Sequence, residues 1–340
     1  MSKKTLKTSP ETESLLAKGF IVDKPGMLSL IQDEGRFGAF NLGLTNGGPI
    51  DLLAFHWANR LCSNLLNATA IEISLGGLTL TAQVDTTLAV TGANMPLTIN
   101  GQVKALWRSY HVKAGDVIGL GFASKGLRCY LAVAQGFNIS PSFGSTATVC
   151  REGIGGINGG KLSKGDVLVC ENMSIDSFSG VSSNGNRKQN RVLADNLCPV
   201  YENEIILHTI PSYQQQHFSP HQQRLFFSNE YTVSKRFDRM GYRLEGQAIS
   251  CDIDGILSEG ICHGAVQIPA DGQPIVLLND RQTIGGYPKI GAVSSIDTAK
   301  LGQLNQGGKV HFEPISMEQA HNLFHLNLSR FKRTELLTCD

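Results

Sequence analysis

The sequence predicts a mainly β protein, an antiparallel barrel or sandwich with a few short helices. Short apolar or alternating segments such as TTLAVTGA, RCYLAVA and PIVLLN are separated by glycine turns, which is typical of antiparallel strands. The chain has 37 glycines among 340 residues, and they follow no collagen-like period, as expected for many tight turns. At this length we expect two domains or two related halves.

Three helices are expected, at about 51–62, 219–227 and 316–332. Asp51 can cap the first, because its carboxylate can accept from the first free N–H groups of IDLLAFHWANRL. The second and third begin with the Ser-x-x-Gln spacing of a capping box, in SPHQ and SMEQ. Proline takes the first helical position of the second helix, where its missing N–H costs nothing.

Composition argues against several functional classes. Thirty Lys and Arg against 29 Asp and Glu give a net charge of +1, and without a basic block we expect no nucleic-acid partner. The first twenty residues lack a continuous apolar stretch, and no run of about 18 apolar residues occurs. We therefore expect a cytoplasmic protein with no membrane contact. The eight cysteines show no CxxC spacing, so we expect neither a zinc knuckle nor a thioredoxin-like motif, and we assign no metal-binding residues.

The segment DRQTIGGYPKIG follows directly on the apolar run PIVLLN. It contains Asp280, Arg281, Tyr287 and Lys289, together with a threonine and three glycines. A tight turn needs only one or two glycines and no arginine. We therefore predict that these four residues form a catalytic site at the end of a strand, with an unusually polar turn as the alternative.

Other polar stretches add candidates for substrate binding. SLIQDEGRFG sets polar groups between glycines, KRFDRMGYRLEG combines four basic residues with two aromatic ones, and GGPID ends on Asp51. For Asp51 a structural helix cap is the competing interpretation. The predicted substrate-binding residues are Gln32, Arg36, Asp51, Arg239, Tyr242, Arg243, Gln267, Gln273 and Thr283.

QDEGRFG, GGPIDLLAFHWANRL, the turn after RMGYR and above all GAVQIPADGQPIVLLNDRQTIGGYPKIG resemble the allophanate hydrolase subunit 2 family. This family is also called biotin-dependent carboxyltransferase-like, and it includes the C subunit of the prokaryotic ATP-dependent 5-oxoprolinase. The similarity runs from about Phe20 to Ala320. It implies two cyclophilin-like β-barrel units, at 20–180 and 192–332. We place their boundary within 177–191, a stretch rich in Ser, Asn and Gly.

The resemblance also implies a function. The chain would act beside the B and A subunits of that enzyme, in a complex that cleaves 5-oxo-L-proline to L-glutamate with ATP hydrolysis. ATP, with Mg²⁺, would be held by this chain or by one of those partners. The chain has no carrier lysine in an A-M-K-M-like setting, so we expect no covalent biotin on it. The alternatives are a carboxyltransferase-like component of a multi-chain urea or allophanate enzyme and a non-catalytic regulatory partner of the B subunit.

Within that mechanism the residues of the segment receive roles. Arg281 would bind a carboxylate or phosphate through its planar fork, and Lys289 would supply a compact charge. Asp280 or Asp271 would act as a base or metal contact, and Tyr287 would donate to the leaving nitrogen. We expect Arg281 and Lys289 to line a cleft together with Tyr287.

Two stretches depart from the family pattern. Thr146 stands where an arginine is common, within GSTAT, and the Ile210-Pro211-Ser212 stretch replaces a segment of the type GPQ. If the missing arginine binds substrate elsewhere in the family, Arg151 is the candidate to replace it.

Overall fold

The computed structural model describes residues 18–172, 190–253 and 255–339. Within these ranges the chain is mainly β with four α-helices, which confirms the predicted fold class. The strands are β1 (Gly19–Pro25), β2 (Leu28–Gln32), β3 (Ala70–Ser74), β4 (Leu78–Ala82), β5 (Thr86–Asn94), β6 (Leu97–Ile99), β7 (Gln102–Lys104), β8 (Arg108–Val112), β9 (Val117–Leu120), β10 (Lys125–Val133), β11 (Val167–Val169), β12 (Asn190–Val192), β13 (Glu204–Pro211), β14 (Glu230–Phe237), β15 (Gly241–Gly246), β16 (Glu259–Gly260), β17 (Ala265–Gln267), β18 (Ile275–Leu277), β19 (Ile284–Gly285), β20 (Lys289–Val293), β21 (Lys309–Pro314) and β22 (Leu337–Cys339). The helices are α1 (Leu52–Leu61), α2 (Pro220–Ser228), α3 (Ser295–Gly302) and α4 (Met317–Arg333).

The first half of the chain forms two sheets that share one apolar core. The six-stranded sheet has the order β11-β1-β4-β9-β6-β7, and the seven-stranded sheet has the order β2-β3-β10-β5-β8-β12-β22. Phe20 and Leu80 from the first sheet pack with Val90 and Leu131 from the second. In β4, LTLTA, leucines are buried and threonines half-buried in alternation, as the two-residue period of a strand requires. Helix α1 packs against β5 and β10 of the seven-stranded sheet.

The second half forms a closed barrel with the strand order β13-β20-β17-β18-β15-β14-β21. Strand β21 lies beside β13 in a parallel pair that closes the barrel. The other strand pairs of the barrel are antiparallel. Val266, Val276 and Ile290 belong to its core. Strands β16 and β19 pair only with each other, in a small two-stranded sheet that we call the strap.

The end of the chain packs on the first half. Phe331 of α4 lies 4.6 Å from Trp57 of α1 between ring centroids, and Arg60 donates to the Phe331 carbonyl. Strand β22 pairs with β12 at one side of the seven-stranded sheet. The unit limits at 20–180 and 192–332 stay a prediction, and of the boundary segment only residues 190 and 191 lie within the described ranges. None of the helices in those ranges is long and apolar enough to span a membrane.

The three expected helices are present, and their caps explain where they begin. Asp51 Oδ1 accepts from the Ala54 N–H at 3.0 Å, and α4 has a complete capping box between Ser316 and Gln319. At α2 the expected box is only half formed. Ser219 accepts from the backbone of Gln222, but the Gln222 side chain accepts from the Ser250 N–H.

Helix α3 was not predicted. It begins after Ser294, whose hydroxyl accepts from the Asp297 N–H at 3.4 Å and donates to the Asp297 carboxylate at 2.9 Å. The helix has only eight residues, and its polar sequence SIDTAKLG shows little helical periodicity.

Candidate functional site

A buried network of charges joins the barrel to the first half of the chain. Arg239 donates to both carboxylate oxygens of Asp280 at 2.9 Å, and another of its nitrogens donates to Glu72 of β3. Arg239 and Asp280 are each 5 % exposed and Glu72 is 1 % exposed. Burial raises the pKa of Asp280, and the Arg239 charge opposes this rise. Because both oxygens of Asp280 are held by Arg239, the structure places Asp280 in a bridge between the two halves.

Two further predicted substrate ligands belong to the same buried interface. Asp51 is 5 % exposed, and its Oδ2 accepts from Tyr201 and Gln303 at 2.9 Å each. Burial raises the pKa of Asp51, and these hydrogen bonds oppose the rise. The Tyr242 hydroxyl, fully buried, accepts from Arg128 at 2.9 Å. These contacts make Asp51 both a helix cap and an interface residue.

Gln32 and Arg36 hold the loops of the first half together. Gln32 Nε2 donates to the Thr148 carbonyl at 3.1 Å. Arg36 donates to the carbonyls of Ser142 and Ala147 at 2.9 and 3.1 Å, and it is 1 % exposed. Burial lowers the pKa of Arg36. Its Nη1 has no hydrogen-bond partner within the described ranges.

Arg281 is buried beneath the strap instead of lining an open cleft. Its Nε donates to the Ile261 carbonyl at 3.0 Å and its Nη1 to the Leu278 carbonyl at 3.2 Å. Arg281 is 5 % exposed, whereas Tyr287 is 46 % exposed. This corrects the expectation that both line a cleft with Lys289, because backbone carbonyls accept from two nitrogens of the arginine and Asn46 Oδ1 lies 3.4 Å from the third. Burial lowers the pKa of Arg281.

His263 lies beside Arg281 and was not among the residues predicted from the sequence. Its Nε2 is 3.1 Å from Asn279 Oδ1, while the amide nitrogen of Asn279 donates to the carbonyls of Gly47 and Pro49. Burial and the Arg281 charge lower the pKa of His263 to about 4. At neutral pH the imidazole is therefore uncharged and donates through Nε2. A single histidine in GICHGAV offers no spacing that would have identified it.

Lys289 and Gln267 come together with residues that were not predicted from the sequence. Lys289 Nζ forms an ion pair with Glu259 of the strap, and Gln214 Nε2 donates to the same carboxylate at 2.8 Å. Tyr213 also donates its hydroxyl to Glu259. Gln267 is the direct partner of Lys289 across β17 and β20. Among the predicted residues, Lys289 and Gln267 are thus the two that meet in one polar cluster outside the barrel core.

The remaining predicted residues lie apart from this cluster or contribute backbone groups. Arg243 forms an ion pair with Asp271, and Gln273 accepts from the Gly246 N–H at 2.8 Å; both contacts stabilise the exposed end of a hairpin. The Thr283 carbonyl accepts from the Ile261 N–H at 3.0 Å. This last bond fixes the strap next to Arg281.

The departures from the family pattern have local structural explanations. The Thr146 N–H donates to Asp33 at 2.7 Å, and its hydroxyl lies 2.9 Å from that of Thr69. The Arg151 side chain is 41 % exposed and pairs with its neighbour Glu152, so it does not enter the space around Thr146. The stretch 210–212 ends β13 and leads directly into the turn that carries Tyr213 and Gln214.

One group of side chains within the described ranges could hold a metal ion. Ligand atoms of Glu204, Glu230 and His311 lie within 4.8 Å of one another. They are on the barrel surface, and Glu204 and His311 also line a cavity of about 670 Å³. Lys309 Nζ is 3.1 Å from Glu230, so a lysine already neutralises part of this charge. None of the predicted site residues lines that cavity.

Comparison with known proteins places the chain in a family. The family model described as carboxyltransferase domain, subdomain A and B, matches residues 42–314. The chain is 35 % identical to the C subunit of 5-oxoprolinase from Escherichia coli K12 and 37 % identical to that from Haemophilus influenzae, in each case over 87 % of this chain and 91 % of the relative.

A solved structure, the urea amidolyase of K. lactis, superposes with a TM-score of 0.86 at 26 % identity. That match covers 97 % of this chain but only 21 % of the urea amidolyase. The residues matched by the family model run from the loop before α1 through the last barrel strand. This chain belongs to the carboxyltransferase domain, subdomain A and B, family.

Proposed function

We propose that this chain is the C subunit of an ATP-dependent 5-oxoprolinase and that it acts in a complex with the B and A subunits. The observation that carries the proposal is the 35–37 % identity to the corresponding chains of two bacterial 5-oxoprolinases, which extends over nine-tenths of their length. Because the match covers nearly the full length of those subunits, it favours the same role in a complex over a different role for a shared domain.

The chemistry of the substrate explains why such a complex needs ATP. A five-membered lactam is a poor electrophile, and phosphorylation of its oxygen by ATP activates the ring carbon. Water then adds to that carbon, the ring C–N bond breaks, and hydrolysis of the resulting acyl phosphate by a second water gives glutamate and phosphate. A site for these steps needs cations for the anionic groups and a donor for the leaving nitrogen.

The described residues divide these tasks. Lys289 supplies a positive charge at the strap, where it is 5 % exposed. Tyr287, half exposed two residues earlier, is the proposed donor to the leaving nitrogen. Asp280 and Arg281 have structural roles, because Arg239 binds the Asp280 carboxylate and Arg281 donates to two backbone carbonyls. Partner chains supply the ATP site and the base, since this chain has no nucleotide-binding motif of its own.

The test is to co-express the chain with its partner chains and to follow glutamate and ADP formation from 5-oxo-L-proline. We expect coupled formation of both products by the complex and little activity from the isolated chain. Hydrolysis by the isolated chain at an ordinary enzymatic rate, about 1–10³ s⁻¹, would contradict the proposed dependence on partners.

A second candidate function is carboxyl transfer to urea or a related amide. The superposition on urea amidolyase favours it, and biotin would then arrive on another polypeptide. Avidin blotting of the co-purified complex separates the two candidates, because a biotinylated partner is required only for carboxyl transfer. Substitution of urea and bicarbonate for 5-oxoproline in the same ATPase assay provides an independent comparison.

A further inference from the structure

The carboxylate of Glu259 is held by three donors at the outer surface of the barrel. Lys289 forms an ion pair with it, Gln214 donates to Oε1 at 2.8 Å, and the Tyr213 hydroxyl donates to Oε2. Two of these donors are firmly placed, because Gln214 and Lys289 are 4 % and 5 % exposed, whereas Tyr213 is 69 % exposed. The Gln214 side chain also accepts from the Lys289 backbone N–H at 2.9 Å.

Glu259 itself is much less firmly placed than Gln214 and Lys289. Its side chain is 34 % exposed, and it belongs to a strap strand of only two residues, bounded by Gly260. Two residue pairs, Glu259 with Gly285 and Gly260 with Ile284, connect β16 to β19, and the Ile261 N–H donates to the Thr283 carbonyl at their end. Lys289 on β20 and Gln214 on the turn after β13 are therefore buried donors, whereas the acceptor is a partly exposed side chain on a short two-stranded sheet.

A fourth donor beneath the strap has no acceptor. Gln267 is 1 % exposed, and its Nε2 has no hydrogen-bond partner within the described ranges. A buried amide without a partner is costly. A Cβ added at Gly285 would lie 3.1 Å from this nitrogen, and Gly285 is the strand partner of Glu259. Gln267 also shares a face of the sheet with Lys289, because the two are paired across β17 and β20.

We propose that Lys289, Gln214, Tyr213 and Gln267 form a binding site for a small carboxylate ligand, and that Glu259 occupies this site until the ligand replaces it. One ammonium, one amide and one phenol already satisfy a carboxylate in this position. The free Gln267 amide provides a donor for a carbonyl oxygen on the same ligand. Glycine at position 285 lets the strap lie close to that donor, because a Cβ there would lie 2.5 Å from Ile261 Cδ1 and 3.1 Å from Gln267 Nε2.

The donor set specifies a chemical class, a carboxylate with a carbonyl group close to it. 5-Oxo-L-proline has both groups on one small ring. The choice of this molecule rests on the proposed function, whereas the carboxylate site rests on the contacts of Glu259 and on the unpaired Gln267 amide.

The experiment measures ligand binding to the full chain by isothermal titration calorimetry. The probes are 5-oxo-L-proline and cyclopentanecarboxylate, which has a five-membered ring and the carboxylate but no lactam group. Glu259→Gln and Glu259→Ala remove the internal carboxylate. Glu230→Gln is the matched control, because it removes another partly exposed glutamate that pairs with a lysine of the barrel, at 3.1 Å from Lys309. Melting temperatures verify that each variant is folded.

We expect both Glu259 variants to bind the probes more tightly than the unchanged chain. If the open state is populated at about 10 % or less, removal of the internal competitor raises the affinity by about tenfold or more. The Glu230→Gln control should bind like the unchanged chain. Adding Lys289→Gln to Glu259→Gln should abolish the gain, because the positive charge that attracts the carboxylate is then absent.

The proposal would be overturned if the Glu259→Gln and Glu259→Ala variants were both folded and neither variant bound either probe more tightly than the unchanged chain. An equal gain in the Glu230→Gln control would overturn it as well, since the effect would then reflect net charge alone. Tighter binding of cyclopentanecarboxylate without binding of 5-oxoproline would support the carboxylate site and count against the proposed substrate. The two ideas can therefore fail separately.

Discussion

Replacing Asp280 by Asn should destabilise the folded protein by about 3–5 kcal/mol, the range found when one partner of a buried ion pair is removed. Asp280 is 5 % exposed and receives two hydrogen bonds of 2.9 Å from Arg239. An asparagine can accept only one of them, and its NH₂ group would then face a guanidinium N–H. The Arg239 charge would remain buried. Among the described residues, Glu72 would then be the one carboxylate within hydrogen-bonding distance of it.

Urea denaturation of both proteins, followed by tryptophan fluorescence and circular dichroism, measures this difference in the free energy of unfolding. Asp271→Asn is the matched control, since it makes the same substitution in an aspartate that pairs with an arginine but has a side chain 52 % exposed. An exposed pair of this kind contributes about 0–1 kcal/mol. If Asp280→Asn were no more destabilising than the control, and turnover were lost nevertheless, the bridging role would be refuted in favour of the catalytic one.

Three further predictions follow from buried side chains. The free energy of unfolding should fall by about 3 kcal/mol between pH 7 and pH 4. His263 has a pKa of about 4 in the folded chain and about 6.5 in the unfolded chain, so acid favours the unfolded chain, which binds the extra proton. A pH series of urea titrations measures this change, and His263→Asn should flatten that part of the series. Arg281→Lys should destabilise the folded chain by about 2 kcal/mol and lower its melting temperature, because an ammonium cannot replace both carbonyl contacts. An unchanged melting temperature with lost turnover would instead indicate that Arg281 contacts the substrate. Phe331→Ala should lower the free energy of unfolding, measured by thermal denaturation, by about 3–5 kcal/mol, since the ring packs against Trp57. A change below about 1 kcal/mol would show that the first half does not need α4 for its stability.

The sequence was sufficient for the fold class and for three of the four helices because these depend on local patterns. Alternating strands, glycine turns and capping residues are all read within a few positions of one another. Helix α3 also carries a local indication, the Ser294-x-x-Asp297 spacing, but it has only two turns and no apolar stripe. A short polar helix of this kind is stabilised mainly by packing, which local sequence does not reveal.

The candidate site was only partly predictable, because its contacts join distant parts of the chain. Arg239 meets Asp280 across 41 positions and Glu72 across 167, and no local pattern specifies which buried charges will pair. Lys289 was identified from the composition of its segment, and Gln267 lies in the stretch GAVQIPADGQP that carries the family resemblance. Glu259 was missed because SEGICHG resembles an ordinary polar loop, and its importance appears only when the strap is placed over Lys289.

The central claim, that this chain is a required component of a 5-oxoprolinase, is tested most directly by an omission experiment. The chain and its partner chains are co-expressed, and glutamate released from labelled 5-oxo-L-proline is measured with ATP present, first with all components and then without this one. We predict ATP-dependent glutamate release by the full complex and its loss when this chain is omitted, with restoration when the purified chain is added back. Undiminished glutamate release in the absence of this chain would contradict the claim.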